Sequence, residues 1–304
     1  MGLSTVYNSF IYRFAKITFN LWQNFGFHLT PNHFYQPIPD TSKLRNELWL
    51  KESSLIGIDF NEEAQSNILT EFSEKFKLEY ESFPEKQTSI PHQFYKKNIF
   101  LGAVDAEILH CMVRYLKPKR IIEIGSGFST YVSAQAILEN KKENGCECEL
   151  IAIEPYPNSV LKGGFPGLSE LKSVQVQEVP VTEFLKLEEN DILFIDSSHV
   201  LKIGGDVQYE FLEILPRLKS GVVVHVHDIF LPAEYPRELI YRDKRFYTEQ
   251  YLLQAFLTFN SHFEIIWAAS YMHLKHPEKL EAAFSSYKRN SKHIPGSFWI
   301  KRIK

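Results

Sequence analysis

The sequence is poor in cysteine, in long apolar runs and in net charge, and each shortage excludes a class of protein. Cys111, Cys146 and Cys148 are too few for a disulfide framework, and the Cys-Glu-Cys spacing is too tight for the usual zinc ribbon. No stretch of about 18 apolar residues is present to form a membrane-spanning helix. A net charge of −3, with scattered basic residues, gives no electrostatic basis for nucleic-acid binding. These features predict a soluble cytoplasmic protein with free thiols.

The first 25 residues carry an apolar stripe at helical spacing. Its members are Leu3, Val6, Tyr7, Phe10, Phe14, Ile17, Leu21, Trp22 and Phe25. One interpretation is a helix that docks on its own domain or on a second subunit, as in a homodimer. The other is an interfacial helix that rests on a membrane, favoured by the aromatic side chains and by Arg13 and Lys16. The sequence leaves both interpretations open.

The chain is predicted to divide near residue 100. Residues 1–100 form an N-terminal helical and irregular appendage, in which the prolines of segment 31–40 exclude a helix and Asn61 caps a later one. We expect the appendage to complete a substrate pocket or to form a subunit or membrane contact. Residues 101–304 form the second domain.

Seven short apolar segments of residues 101–304 are predicted to be strands. They are Arg120–Ile124, Leu150–Ile153, Val174–Val179, Asp191–Ile195, Gly221–Val226, Phe263–Ala269 and Gly296–Arg302. Helices are expected between most of them, including a long one from Lys202 to Leu218. Continuous apolar strands that alternate with helices indicate a sheet covered on both faces. The predicted fold is α/β, with a doubly wound, mainly parallel seven-stranded sheet.

The most informative motif is the turn after the first strand, Glu123-Ile-Gly125-Ser126-Gly127. An open α/β sheet binds nucleotide-like ligands at such a strand–turn–helix junction. Gly125 and Gly127 allow a tight turn and a close approach of the backbone to the ligand. A dinucleotide fingerprint would need a third glycine where Thr130 stands. Glu123 can instead receive a cationic ligand, and the pattern is typical of S-adenosylmethionine (SAM) binding.

Acidic residues at later strand ends are further candidate cofactor contacts. Glu154 closes the second strand, where a carboxylate can accept both ribose hydroxyls. The structural alternative is a solvated side chain before Pro155. Glu178, near the end of the third strand, is a candidate contact to the adenine, and Asp196 ends the fourth strand beside the same crevice.

A second cluster combines the ends of the fourth and fifth strands. Asp196, His227 and Asp228 offer an oxygen–nitrogen–oxygen ligand set for a divalent cation. His199, one turn beyond Asp196, is a candidate general base, because an unperturbed imidazole has a pKa of about 6.5 and can take a proton near neutral pH. A single acidic residue at a strand end can also be a simple cap. We interpret His225, within the strand, as a core residue.

The segment Phe230–Tyr247 follows the fifth strand and is rich in aromatic residues and arginine. Its position suits a lid over an acceptor pocket, with Tyr235, Arg237, Tyr241 and Arg242 as candidate substrate contacts. An ordinary surface loop is equally consistent with the sequence.

From about Asp105 onward, these motifs resemble those of the class I SAM-dependent methyltransferases. Within them the chain is similar to metal-dependent sugar O-methyltransferases of the macrocin and mycinamicin type, and to uncharacterised bacterial methyltransferases found among glycan-modifying genes. Asp196-Ser-Ser-His199 matches their Asp-x-x-His element, which implies a metal-ligand role for Asp196 and a base role for His199. A carboxylate is expected where His227 stands, and an imidazole would suit manganese or iron better than magnesium.

The resemblance implies transfer of a methyl group from SAM to a hydroxyl of a small-molecule or glycan acceptor. A divalent metal (Mg, Mn or Fe) and His199 would assist the reaction. Two alternatives stay open: SAM-dependent N-methylation without a metal, and a non-catalytic SAM-binding protein that assembles through its N-terminal helix.

Overall fold

The computed structural model describes residues 10–291 and 293–304, so that Leu3, Val6 and Tyr7 of the apolar stripe lie outside the described residues. The chain forms two compact units. The smaller comprises residues up to Lys51 together with Pro236–Phe246, and the larger comprises Glu52–Tyr235 and Tyr247–Lys304. The substrate, subunit or membrane role of residues 1–100 stays a prediction.

The larger unit contains a seven-stranded sheet. Its strands are β1 (Arg120–Ile124), β2 (Glu149–Ile153), β3 (Glu170–Lys172), β4 (Ile192–Ile195), β5 (Val223–Val226), β6 (Phe263–Ala268) and β7 (Phe298–Arg302). The order is β3-β2-β1-β4-β5-β7-β6. Strands β1 to β5 pair in parallel, whereas β7 is antiparallel to both of its neighbours. The predicted mainly parallel α/β sheet is confirmed.

Apolar side chains cover both faces of this sheet. Successive residues of a strand point to opposite faces, so Ile121 joins one hydrophobic cluster while Ile122 joins the other. The same division separates Phe194 from Ile195 on the adjacent strand β4. Burial on both faces explains why the central strands are continuously apolar rather than alternating.

Helices flank the strands in chain order. They are α1 (Phe10–Ile17), α2 (Phe19–Asn24), α3 (Glu62–Glu81), α4 (Ala103–Leu116), α5 (Phe128–Asn144), α6 (Ser159–Gly163), α7 (Val181–Phe184), α8 (Asp206–Tyr209), α9 (Arg237–Tyr241), α10 (Glu249–Leu257), α11 (Ala269–Lys275) and α12 (Pro277–Ala283). Helices α4 and α5 pack against each other, and α3 packs against α4. Among the described residues, no helix is both long and apolar enough to cross a membrane.

The predicted third strand, Val174–Val179, is wrong. The strand lies earlier, at Glu170–Lys172, and Val176–Glu178 forms a 3₁₀ turn instead. Val176 and Val179 are three residues apart and both buried. In a 3₁₀ turn, side chains three residues apart eclipse one another, so this turn buries both valines on one side.

The predicted helix Lys202–Leu218 is shorter and irregular. Regular α-helix occupies only Asp206–Tyr209, followed by a π turn at Glu210–Ile214 and a 3₁₀ turn at Leu215–Arg217. Pro216 lacks the N–H that a regular helix would need at that position. Asn61 does not cap α3 with its side chain: its backbone is left-handed, with φ of +47°, rather than extended as in most N-caps, and its Nδ2 donates to the Ile265 carbonyl over 3.0 Å.

The smaller unit contains α1, α2 and α9, with a 3₁₀ turn at Asn46–Trp49. Within it the Arg237 guanidinium lies 4.8 Å from the ring centre of Trp49 and donates to Asn46 Oδ1 over 3.0 Å. The Tyr241 hydroxyl donates to the Thr41 carbonyl over 3.2 Å. These contacts join the two sequence segments of the unit.

Candidate active site

Position 125 of the glycine turn has a backbone that only glycine accommodates. Gly125 follows β1 with φ of +77°, and a Cβ atom placed on it would lie 1.9 Å from the carbonyl oxygen of Asp196. Helix α5 then begins at Phe128, and Thr130 Oγ1 accepts the Gly127 N–H over 2.9 Å. Thr130, which replaces the third glycine of a dinucleotide site, therefore caps the helix that leaves the turn.

Glu123 lies beneath this turn and is almost fully buried. One carboxylate oxygen accepts a hydrogen bond from Ser129 Oγ, and the other has no hydrogen-bond partner among the described residues. Burial raises the pKa of Glu123 to about 8. A buried oxygen without a partner is a free acceptor for a cationic ligand at the turn, as the sequence predicts for SAM.

Glu154 lies opposite the turn at the end of β2. Its two oxygens accept the N–H groups of Ser126 over 3.2 Å and of Tyr156 over 2.8 Å. These bonds orient the carboxylate beside a cavity of about 380 Å³. The cavity runs from Gly125 and Asp196 past Glu154 to Gln175–Gln177, so that one elongated ligand could contact all of these residues.

The ends of β4 and β5 bring together two acidic residues and one histidine. His199 Nε2 lies 3.3 Å from Asp196 Oδ1 and 3.7 Å from Asp228 Oδ2. His199 and Asp228 both have left-handed backbones, with φ of +59° and +54°. A left-handed backbone is costly in a non-glycine residue, and two of the residues that adopt it lie in this cluster.

Sequence analysis missed Glu249, the residue that holds the other side of the His199 ring. Glu249 is the first residue of α10 and is fully buried, and its Oε2 lies 2.8 Å from His199 Nδ1. The two residues are 50 positions apart in the chain. No local pattern connects them; the one signal is an acidic residue in the first turn of a predicted helix.

The charges around His199 favour its protonated form. Burial opposes the positive charge, but the contacts with Asp196, Glu249 and Asp228 outweigh it and raise the pKa of His199 well above 6.5. Burial also opposes the negative charge of Asp196, yet the His227 and His199 imidazoles hold the pKa of Asp196 at about 2. Without a bound cation nearby, Asp196 and His199 therefore form an ion pair near neutral pH.

Two buried carboxyl groups lie behind this cluster. Burial raises the pKa of Glu249, and burial together with the charge of Glu249 raises the pKa of Glu210 well above its usual range. Ser197 Oγ donates to Glu210 Oε2 over 3.0 Å, which links Glu210 to the end of β4. Sequence analysis identified neither Glu210 nor Glu249.

The predicted metal set of Asp196, His227 and Asp228 is not brought together as a three-ligand site. Within residues 10–291 and 293–304, no group of three His, Cys, Asp or Glu side chains could hold a metal ion. His227 is buried, and its Nδ1 lies 3.2 Å from His225 Nε2. His225 is itself buried and stacks on Phe194 with ring centres 4.0 Å apart, as expected of a core residue.

Of the candidate lid residues, Tyr235 is buried rather than open to a substrate. Its hydroxyl accepts the backbone N–H of Gln250 over 2.7 Å, so it supports the start of α10 beside Glu249. The Tyr247 ring contacts His199 at a tilt of 46°, with ring centres 4.6 Å apart. The substrate contacts of Arg237, Tyr241 and Arg242 stay predictions.

Known proteins resemble the chain in sequence and in fold. A family model described as a methyltransferase domain matches residues 122–229. An uncharacterised protein of Archaeoglobus fulgidus is 34% identical over 170 residues, which cover 53% of this chain and 75% of that protein.

Two solved methyltransferases have a similar arrangement at lower identity. The O-methyltransferase TomG from Streptomyces achromogenes, in complex with SAM, is 14% identical, with 78% of this chain and 90% of that chain covered and a TM-score of 0.38. MycE from the mycinamycin biosynthetic pathway, in complex with Mg, SAH and mycinamycin VI, is 12% identical, with 78% and 53% covered and a TM-score of 0.39.

The Archaeoglobus relative is matched over most of its length and shares a family with this chain. The methyltransferase-domain match contains the glycine turn, Glu154 and the cluster from Asp196 to Asp228. It lies within a seven-stranded sheet whose only antiparallel strand among those described is β7. The chain therefore carries a methyltransferase domain and belongs to the same family as the Archaeoglobus relative.

Proposed function

We propose that this methyltransferase transfers the methyl group of SAM to a hydroxyl of a sugar or another small molecule, with His199 as the proton acceptor. The position of His199 carries the proposal. Its Nε2 faces Asp196 and Asp228 at the strand ends, and Asp196 also lines the cofactor cavity. A base beside the cofactor is what deprotonation of a hydroxyl requires, because an acceptor oxygen must be activated where the methyl group is delivered.

The cofactor is proposed to lie along the cavity from the glycine turn to Gln175–Gln177. The ribose hydroxyls would donate to Glu154, whose carboxylate is already oriented by two backbone N–H groups. The Glu123 oxygen that has no hydrogen-bond partner would interact with the positively charged methionine end of SAM. Gln175 and Gln177, which sequence analysis did not identify, replace Glu178 as the candidate contacts to the adenine.

We assign a divalent cation to Asp196 and Asp228, the two carboxylates that approach His199 Nε2, rather than to the full set predicted from the sequence. Magnesium is commonly held by one or two carboxylates together with oxygen atoms of substrate and water, so a third protein ligand is not required. His225 engages Nδ1 of His227, which leaves only Nε2 of that ring for an ion; with the ion assigned to the two carboxylates, the argument for manganese or iron no longer rests on an imidazole ligand. When bound, the ion would polarise the acceptor hydroxyl and offset the carboxylate charge that keeps His199 protonated.

His199 is held in the tautomer that a base at Nε2 needs. The Glu249 carboxylate accepts a hydrogen bond from Nδ1–H, which leaves Nε2 as the nitrogen that can exchange a proton with the acceptor. The raised pKa of His199 means that its neutral form becomes available only as the pH rises. Tyr247 and buried Glu249 cover the ring, so the proton is exchanged on the side of Asp196 and Asp228.

The test is transfer of isotopically labelled methyl groups from SAM to a panel of monosaccharides and glycosylated small molecules. His199→Asn is the sharpest variant, because asparagine tolerates the left-handed backbone at position 199 and cannot act as a base. We expect labelled product with the native chain, at least about 100-fold slower transfer with the variant, and unchanged SAM affinity.

The identity of the labelled product separates the proposal from its alternatives. A methyl ether supports O-methylation, whereas a methylamine product that survives His199→Asn and chelation of metals would establish N-methylation. Transfer to a hydroxyl at the native rate in His199→Asn would show that another group accepts the proton.

A further inference from the structure

The start of the described chain exposes an unusual amount of apolar surface. Phe10 is 82% exposed and Ile17 is 81% exposed, and Phe14 and Leu21 are exposed as well. These four residues follow one another at intervals of four, three and four, which places them on one side of a helix. An exposed apolar stripe of this kind marks an interaction surface.

The stripe is continuous although two helices contribute to it. Between α1 and α2, the Thr18 N–H donates to the Phe14 carbonyl over 2.9 Å, and the Trp22 N–H donates to the Thr18 carbonyl over 3.1 Å. Both bonds have the spacing of an α-helix. The backbone therefore carries the helical repeat through Thr18, and Leu21 stays on the side of Phe10 and Ile17.

Further apolar side chains follow the stripe in the chain. Those exposed between α2 and the first acidic residue are Phe25, Phe27, Leu29, Phe34, Tyr35 and Ile38. Aromatic residues predominate among them, and aromatic rings favour the interface between water and lipid acyl chains. The apolar surface thus extends well beyond the two helices.

The charge of this segment has one sign. From Met1 to Pro39 the sequence contains Arg13 and Lys16 but no aspartate or glutamate, and the first acidic residue is Asp40. Both cations are exposed and lie on α1. An apolar stripe flanked by cations and free of acidic residues complements a surface that is apolar beneath and negatively charged above.

We propose that residues 10–38 dock on the surface of a bilayer that contains anionic lipids. The side chains of Phe10, Phe14, Ile17 and Leu21 enter the boundary between headgroups and acyl chains, while Arg13 and Lys16 contact lipid phosphates. In a symmetric contact, the same segment of a second copy would bring a second Arg13 and Lys16 with no acidic residue of that segment to pair with them, which disfavours a second copy as the occupant. The proposal is independent of the methyl-transfer reaction.

Co-sedimentation of the full chain with two kinds of vesicle tests the proposal. One kind is phosphatidylcholine alone, and the other is phosphatidylcholine mixed with phosphatidylglycerol. We expect binding to the anionic vesicles that weakens as salt is added, because the surface potential is screened. The double variant Phe10→Ser/Ile17→Ser should lower the partition coefficient by at least about tenfold. Arg13→Gln and Lys16→Gln should each lower it by about fivefold.

The matched control is Leu78→Ser/Ile99→Ser. These two residues are 91% and 87% exposed, so the control removes a similar amount of exposed apolar surface outside the proposed docking segment. It should bind vesicles as the native chain does, and all variants should keep native circular dichroism and SAM affinity. Equal loss of vesicle binding in the control pair would overturn the proposal, as would absence of binding to anionic vesicles. Dimers that Phe10→Ser/Ile17→Ser converts to monomers, without any vesicle binding, would assign the surface to a second copy instead.

Discussion

The buried carboxylate of Glu249 lies 2.8 Å from Nδ1 of His199, on the side of the ring that faces away from Asp196 and Asp228. An acidic partner at this nitrogen fixes the ring orientation and stabilises a positive charge on the imidazole. Glu249 is thus a positioning residue for the proposed base: it contacts His199, and none of the described contacts joins it to Asp196 or Asp228.

Glu249→Gln should change the pH dependence of transfer. Glu249 contributes to the raised pKa of His199, so removal of its charge lowers that pKa and extends the neutral form of His199 to lower pH. The rise of kcat/KM with pH should therefore shift to lower pH in Glu249→Gln, which keeps an oxygen acceptor for Nδ1–H. Glu249→Ala loses that acceptor and should reduce kcat about 10- to 100-fold with little change in KM for SAM.

Glu107→Gln is the matched control for this experiment. Glu107 is also fully buried, and burial raises its pKa to about 8, but it pairs with Ser286 rather than with His199. Its variant should leave the pH profile unchanged. A shift of equal size in both variants would indicate a general effect on stability instead of a specific effect on His199.

SAM affinity should rise with pH through the titration of Glu123. The pKa of this buried carboxyl group is about 8 without a ligand, and its ionised form is the one that a cationic ligand prefers. Below pH 8 binding must release a proton, so the Kd for SAM should fall with rising pH, by at most about tenfold per unit, and level off above it. Glu123→Gln should remove this component. Calorimetric titrations at several pH values measure it, and identical slopes in the native chain and the variant would contradict the assignment.

From the raised pKa of Glu123, we also expect the chain without SAM to lose stability as the pH rises. The folded pKa of Glu123 is raised above its unfolded value, so the folded chain binds more protons than the unfolded chain between pH 4.5 and about 8. The free energy of unfolding should decrease across that interval as the pH rises. Chemical denaturation of the native chain and of Glu123→Gln measures the difference, which should vanish when saturating SAM is present.

Gly125→Ala and Gly127→Ala should differ sharply in stability. A Cβ at position 125 would overlap the Asp196 carbonyl in a left-handed backbone, whereas a Cβ at position 127 would meet no atom within 4 Å. We expect a loss of at least about 3 kcal/mol in Gly125→Ala and of less than about 1 kcal/mol in Gly127→Ala. Urea unfolding without cofactor gives both values. Similar losses for the two variants would mean that the strands are not held at this distance.

Removal of metal should lower the rate of transfer without changing SAM affinity. Chelation followed by addition of magnesium or manganese should restore activity, since Asp196 and Asp228 provide hard oxygen ligands. Asp228→Asn keeps a residue that tolerates the left-handed backbone and removes one charge, so it should raise the metal concentration for half-maximal activity. Full activity of the chelated native chain would exclude a metal role and leave His199 to act without an ion.

The fold could be predicted because its central strands are short, apolar and separated by helical patterns. The glycine turn at Gly125 and the position of Glu123 just before it could be predicted for the same reason, since both follow from the local strand–turn–helix pattern. Strand β3 could not be located, because Val176 and Val179 are buried through a 3₁₀ turn whose spacing does not distinguish it from a strand end.

The site was predictable only where it follows the strand ends. Asp196 and Asp228 end neighbouring strands, and the sequence therefore placed them together. Glu249 depends on the packing of α10 against the loop of His199, a contact between positions 50 residues apart that no local pattern encodes. The pairing of His227 with His225 likewise follows from side-chain orientation within β5 and its end, which the metal prediction did not include.

The contact of Gly125 with the Asp196 carbonyl limits how this scaffold can be re-engineered. The Asp196 N–H also donates to the Ile124 carbonyl over 2.8 Å, so the cofactor turn and the start of the acceptor side meet backbone to backbone. A loop graft that lengthens or lifts the end of β4 would therefore displace the glycine turn as well. New acceptor specificities are therefore best sought by substitution within the existing loops, not by transplanting loops from relatives.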